Sequence, residues 1–439
     1  MYISGPVTGK DFVNREKMLG SLNRHAENRQ YCCLIGLRRT GKTSLMIKTM
    51  EYLSPEWSSG YFNVQNSIAV PEQFAVTYVG SILFWVLHRQ GLVSETTQPH
   101  FFDLNYVQRQ ALALSNQRVS RYLLDMADAL GRREINYNQV ISQAFSFPQI
   151  LSDAFDHPLA IFIDEFQDIV QMDAYGIDSL KVFRSITQMQ TGVWYCLAGS
   201  SIYRLNQVVN SQQSPLYGQY RTFVVGQFEF DAARKLMAQQ ANESIPEPIL
   251  RLLYYFTGGY PFYMAVLAGA TAAIAQRESR LIDEDAFILS IAEEVATPGG
   301  AIAMHCREVF ETRLLQATQS TVSRQIMHYL AHNQKSKAAD VARSIGRSTD
   351  YARQILVRLV EGDLLHVHKR RYAISDPILA FWLAHSYFDI EINPLAMINF
   401  AATKARLVET LRQELLPALK TQSELDLESG KDNRYLLST

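Results

Sequence analysis

Gly36-Leu37-Arg38-Arg39-Thr40-Gly41-Lys42-Thr43 fits the pattern G-x-x-x-x-G-K-[ST] at every position, and no other segment constrains the fold as tightly. The apolar run Tyr31-Cys32-Cys33-Leu34-Ile35 precedes it, and the helix-compatible Ser44-Leu45-Met46-Ile47-Lys48 follows. Strand, glycine-bounded loop and helix in that order form a phosphate cradle, because the loop amides and the helix N-terminus converge on an anion. Lys42 is placed to reach the outer phosphates, and the Thr43 hydroxyl to take a place on Mg²⁺. Average residue usage gives such a string by chance on the order of once per tens of thousands of positions.

Cleaving a phosphoanhydride needs more than a cradle. One carboxylate must hold Mg²⁺ and another must activate water. Leu159-Ala160-Ile161-Phe162-Ile163-Asp164-Glu165 offers both at the end of a continuous apolar run, as a parallel strand buried on both faces should read. Asp164 is the candidate for Mg²⁺ and Glu165 for the general base. A third apolar run, Val193 to Ala198, ends in Gly199-Ser200-Ser201, where Ser200 or Ser201 suits contact with the γ-phosphate or the attacking water; a plain serine-rich turn is the alternative. No Asn-Lys-x-Asp element is present, and Asp173-Ala174-Tyr175-Gly176 lies beyond the strand tip that Asp164 occupies, so ATP is favoured over GTP.

Strand and helix patterns alternate through about residue 227, which predicts a doubly wound α/β core. A helix is expected from Arg15 to Asn28, strands at 61–64 and 221–225, and a long helix opening at Pro71. Residues 92–118 read as polar and irregular, and 119–129 as helical again. From 228 to 316 only helical patterns remain, broken at Thr257-Gly258-Gly259-Tyr260-Pro261. Residues 317–392 read as a separate small unit. Residues 393–439 read as an amphipathic helix around Arg406 to Leu416 and a polar tail that frays from about Thr421.

With 47% hydrophobic and 19% charged residues and a net charge of −1, the chain reads as globular, with no global pull toward nucleic acid or membrane. Four scattered cysteines suit neither a disulfide framework nor a metal site, and Cys32-Cys33 suit a small apolar role in their strand. The N-terminus shows no secretory pattern, and the longest apolar stretch, 261–275, is shorter than a bilayer span, so a cytoplasmic location is expected.

These residues resemble the AAA+-related archaeal-type ATPase family, which stands near the STAND ATPases and the origin-recognition initiators. Phe12-Val13-Asn14-Arg15-Glu16 looks like that family's element beside the adenine, which implies nucleotide contact for Phe12, Val13 and Arg15. Gly36 to Ser44 is similar to its phosphate loop, so Gly36, Arg38, Arg39, Thr40, Gly41, Lys42, Thr43 and Ser44 are implied around the phosphates. Ile163-Asp164-Glu165-Phe166-Gln167 resembles its acidic motif, and Ala198-Gly199-Ser200-Ser201 its sensor strand. Gly258-Gly259-Tyr260-Pro261-Phe262-Tyr263 resembles its helical lid, which implies Pro261 near the nucleotide. The segment 372–382 resembles the family's close of a C-terminal winged helix. The resemblance thus implies a P-loop NTPase of AAA+ type with parallel-sheet core, lid and winged helix. One departure concerns catalysis: Ser214-Pro215-Leu216-Tyr217-Gly218 is followed by Gln219 where the family has a candidate trans-acting arginine. Arg221, two residues on and on the same strand face, is the candidate substitute. The lid element also offers no arginine, which favours a slow switch over a fast motor.

Residues 323–333, 337–345 and 348–361 pattern as three short helices, and 366–372 as a hairpin wing. From 321 to 371 there are ten Lys/Arg against four Asp/Glu on a near-neutral chain. Arg347, Arg353 and Arg358 fall on or beside the third helix, and Lys369, Arg370 and Arg371 at the wing, where phosphate contacts to duplex DNA would fall. Three functions follow: a DNA-associated ATP-hydrolysing switch, a signalling or scaffolding switch that oligomerises or docks a protein, and a component of a mobile-element or defence system.

Overall fold

The computed structural model of the chain describes residues 5–66, 70–113, 116–318, 321–387 and 400–429. They divide into two compact units, one over residues 6–225 and one from Gly226 onward.

The first unit is built on five parallel strands: β1 (Cys32–Ile35), β2 (Ser58–Asn63), β3 (Leu159–Asp164), β4 (Val193–Gly199) and β5 (Arg221–Val224), in the order β2-β3-β4-β1-β5. The three central strands are buried along their whole length, which is why they read as unbroken apolar runs. Their side chains alternate between the two faces. Cys32, Leu34, Phe162, Trp194 and Cys196 pack with Leu19, Leu22, Leu45, Met46 and Met50 on one face. Cys33, Ile35, Ile161, Ile163, Tyr195 and Leu197 pack on the other with Phe74, Tyr78, Phe145 and Phe183. The cysteines are wholly buried and serve as small apolar residues. Because β4 lies between β1 and β3, its tip at Ser200 stands between the phosphate loop and the acidic pair.

Two segments differ from the sequence expectation. Within 92–118 the described residues are not all irregular: they include a 3₁₀ stretch, Glu95–Phe102, and a helix, Leu104–Ala113. A helix at Tyr137–Phe155, with Pro148 inside it, covers the sheet just before β3.

In the second unit, helices Phe230–Ala241, Glu247–Thr257, Pro261–Arg277, Glu284–Ile291 and Ala301–Ala317 follow one another. The Gly258-Gly259-Tyr260-Pro261 break has a local cause. Gly258 (φ 61°) ends one helix in the left-handed conformation, the Gly259 N–H returns to the Tyr254 carbonyl at 3.2 Å, and Pro261 opens the next helix. One stretch among the described residues, Glu284–Leu315, meets the length and hydropathy of a membrane span, but a turn at 297–300 interrupts it and most of its apolar window is buried. Next come helix Thr321–His332, β6 (Ser336–Lys337), helices Ala338–Ser344 and Thr349–Glu361, and the hairpin β7 (Leu365–His368) and β8 (Arg371–Ile374). The C-terminal helical segments reach Ser429, so the fraying expected from Thr421 is not what the structure shows; residues 430–439 lie outside the described residues.

Asp376 pins this unit together. Its carboxylate accepts the N–H groups of Ile378 (2.9 Å) and Leu379 (3.2 Å), capping helix Pro377–Trp382, and the Tyr263 hydroxyl at 2.6 Å. Burial pushes its pKa up against the pull of those donors. Asp376→Ala removes a helix cap, about 1 kcal/mol, and orphans a buried hydroxyl, about 1–3 kcal/mol. The expected result is a melting temperature lower by on the order of 10 °C, read by calorimetry.

Candidate nucleotide site

β1 runs into the loop and then into helix Lys42–Tyr52, all within the first unit. Its two glycines serve different purposes. Gly41 has φ 91°, the left-handed turn that aims the first helical amides into the loop, whereas Gly36 has no room for a side chain because a Cβ there would collide with the Val225 carbonyl oxygen. The Thr40 hydroxyl donates to the Leu37 carbonyl at 2.9 Å, and Lys42 Nζ donates to the carbonyls of Gly36 (2.9 Å) and Leu37 (2.8 Å). The loop therefore shapes itself around its own lysine. Arg38 is half-buried, and Arg39, at φ 59°, is exposed.

The acidic strand meets this loop directly. Thr43 Oγ1 donates to Asp164 Oδ2 at 2.6 Å across 121 sequence positions, and the Tyr61 hydroxyl of β2 reaches the same oxygen at 3.2 Å. Burial, then the charge of Glu165, pushes the Asp164 pKa up against the opposing pull of Lys42 and Thr43. Glu165 leaves the strand in a left-handed conformation (φ 51°), which turns its side chain toward β4. There its Oε2 accepts from Gln167 Nε2 (2.7 Å), the Ser200 amide (3.0 Å) and the Ser200 hydroxyl (2.8 Å). Burial alone would raise its pKa, but the Gln167 amide, the Lys42 charge and both Ser200 donors outweigh it and hold Glu165 below the usual carboxylate range. At the β4 tip Ser200 reaches the acid, and Ser201 precedes helix Ile202–Val209.

The N-terminal segment is stitched to the loop. The Val7 amide donates to Ser44 Oγ at 2.9 Å, and the Arg15 guanidinium to the Thr40 carbonyl at 3.4 Å, its pKa drawn down to about 10 by burial. Phe12 packs against the apolar cluster under helix Lys42–Tyr52, and Val13 is half-buried beside it. Arg221 is not brought to its own chain's loop: it pairs with Cys32 at the start of β1, while Val224 pairs with Ile35 at the loop end. Pro261 belongs to the second unit. Asp173 and Gly176 form a turn, with Asp173 accepting from the Ser179 amide and hydroxyl.

Tyr61, Gln65, Asp168 and Arg204 escape a sequence reading. Asp168, buried, pairs with Arg204 at 2.9 Å and accepts from Gln65 Nε2 at 2.9 Å, so three strand ends are tied together behind the acidic pair. No spacing marks them, since they come from three different strand ends.

The sequence matches, over residues 12–267, the family described as an ATPase domain predominantly from Archaea. The chain belongs to this family. Its fold is also that of the Walker-type ATPase PABY2304 of Pyrococcus abyssi (TM-score 0.58, 16% identity, covering 87% of this chain and 98% of that one). The ORC2 protein of Aeropyrum pernix, solved in ADPNP–ADP complexes, is similar as well (TM-score 0.52, 11% identity, 91% and 96% covered). No curated protein matches in sequence. Five parallel strands with helices on both faces are thus an AAA+-like P-loop fold, and the chain carries an ATPase domain.

The residues present fit Mg²⁺. Thr43 Oγ1 and Asp164 Oδ2 are both hard oxygen donors that already touch, and burial disfavours the charged form of Asp164, a cost a cation there would offset.

Proposed function

We propose that the chain binds and hydrolyses ATP as a slow nucleotide-dependent switch and contacts duplex DNA through a C-terminal winged helix. The Thr43–Asp164 contact carries the first part, since it joins cradle and acidic strand at one sheet edge with Glu165 and Ser200 alongside. ATP lies along the loop, its outer phosphates taking over the Lys42 ammonium now shared by two carbonyls. Thr43 and Asp164 would hold Mg²⁺, which would neutralise charge on the phosphates. Glu165 draws the proton from the attacking water, and Ser200 steadies the base and stands beside the γ-phosphate. Phe12, Val13 and Arg15 flank the base side of the nucleotide, and Pro261 belongs to the lid.

For DNA the support is the order helix, short strand, two helices and hairpin, together with charge placement. Arg347, Arg353, Arg358, Lys369, Arg370 and Arg371 are all exposed. Arg353, Gln354, Val357 and Arg358 share the outer face of helix Thr349–Glu361, with Asp350 pairing to Arg353 at 3.1 Å. Lys369 (φ 48°) and Arg370 (φ 63°) form a two-residue hairpin turn. Such turns favour Asn-Gly, so two cations stand where a turn-forming pair would be cheaper. Replacing them by Asn and Gly (Lys369→Asn with Arg370→Gly) is expected to leave melting unchanged or raised while weakening duplex binding. The log–log salt slope of binding should fall by about 2, at roughly 0.9 per phosphate contact. Fluorescence anisotropy from 50 to 200 mM salt measures it, and an unchanged slope removes these residues from the interface.

A second reading, a STAND-like switch that assembles or docks a protein without DNA, is favoured by one observation. Gln219 replaces the expected arginine, and Arg221 stands at the far end of β5 from its own loop, so any stimulation would have to be supplied to a neighbouring subunit. Nucleotide-dependent mass measurement with and without duplex separates the two.

A further inference from the structure

We propose that Gln167 is the positioning residue of the catalytic base: its side-chain amide, seated against Gly199, clamps one oxygen of Glu165 and leaves the other for the attacking water. This rests on the hydrolytic reading of the site.

The clamp is asymmetric. All three donors that reach the Glu165 carboxylate go to Oε2, from Gln167 Nε2 at 2.7 Å and from the Ser200 amide and hydroxyl at 3.0 and 2.8 Å. Among the described residues no donor to Oε1 is found, so one carboxylate oxygen is fixed and the other keeps its lone pairs unspent. The left-handed turn at Glu165 produces this arrangement, since it brings residues 165 and 167 side by side instead of spacing them along a strand.

Gln167 is held in place from two sides. Its Nε2 also lies 3.4 Å from Asp168 Oδ2, a buried carboxylate already fixed by Arg204 and Gln65. Its Oε1 is buried without a hydrogen-bond partner and lies where a Cβ on Gly199 would stand. A buried amide oxygen without a donor is costly, and a fold tolerates it where the other end of the group is needed. Rotating the amide by 180° would set Oε1 against the Glu165 carboxylate, so only the observed orientation supplies a donor. Gly199 is therefore part of the device, because any side chain there would expel the amide from its seat.

Gln167→Leu keeps the bulk and removes the donor. Steady-state ATP turnover across pH is expected to show kcat reduced about tenfold or more from misorientation. The loss is expected in kcat alone, with KM for ATP within about twofold of the native value, because Gln167 touches the base and not the phosphate loop. ATP affinity, measured separately by calorimetry, should be unchanged. Gly199→Ala, which leaves Gln167 in the chain but displaces its amide, should reproduce the kcat loss with ATP affinity kept. A rate loss matched by a loss of ATP affinity, or full activity in Gln167→Leu, overturns the proposal while leaving the general-base reading intact, provided Glu165→Gln is inactive. Turnover surviving in Glu165→Gln removes the general-base reading itself and this proposal with it.

Discussion

Glu165→Gln is expected to hold ATP and not cleave it. The amide is nearly isosteric, and its oxygen still accepts from the Ser200 amide and hydroxyl that now reach Oε2, so the strand tip keeps its shape. It cannot take a proton from water, and losing a positioned base lowers turnover about 10²–10⁴-fold. The substitution also relieves Asp164. Its pKa is raised first by burial and next by the charge of Glu165, so with that charge gone Asp164 stays ionised to lower pH. ATP binding should therefore persist into more acidic solution than in the native chain, where protonation of Asp164 removes a negative oxygen from the site. Single-turnover assays with radiolabelled ATP, with bound nucleotide followed by gel filtration at pH 5 and pH 7.5, test both halves. Native-like turnover would assign the base to another residue.

How far these elements could be read in the sequence follows from their physics. β1, β3 and β4 were legible because a parallel strand covered on both faces has no polar positions to blur it. The meeting of Thr43 with Asp164, 121 positions apart, was legible because phosphate chemistry demands both. Helix Tyr137–Phe155 was not. Val140, Ile141, Ala144, Phe145, Phe147 and Leu151 are all buried, so its apolar stripe is broad, and Pro148 reads as a breaker although its missing N–H is accommodated here. Helix Leu104–Ala113 buries only Val107 and Ala111, too little apolar period to stand out from a polar stretch. β6, of two residues, is defined only by its pairing with β8. Within the site, the clamp on Glu165 depends on a backbone angle, and no residue spacing displays a left-handed turn at a glutamate.

Lys42→Ala is expected to weaken ATP binding by about one to two orders of magnitude, from the loss of a charge-assisted contact of about 1.5–3 kcal/mol. The effect on the empty site is as informative. Lys42 is buried, and its ammonium bridges the Gly36 and Leu37 carbonyls, so its removal leaves two acceptors at the head of the loop without that donor. It also pulls down the pKa of both Asp164 and Glu165, so without it both rise. Asp164 already sits above its unfolded value, mainly from burial, and a group raised on folding contributes stability that is complete below the unfolded pKa and is lost as pH climbs through the folded one. Removing the lysine raises Asp164 further, widening that window upward. The nucleotide-free Lys42→Ala protein should therefore lose melting temperature more steeply than the native chain as pH rises from about 4, near the unfolded carboxylate pKa, toward neutrality. Thermal melts at half-unit pH steps measure the slope; parallel native and variant curves would mean that Lys42 does not compensate the acidic pair, and that cradle and carboxylates are electrostatically independent.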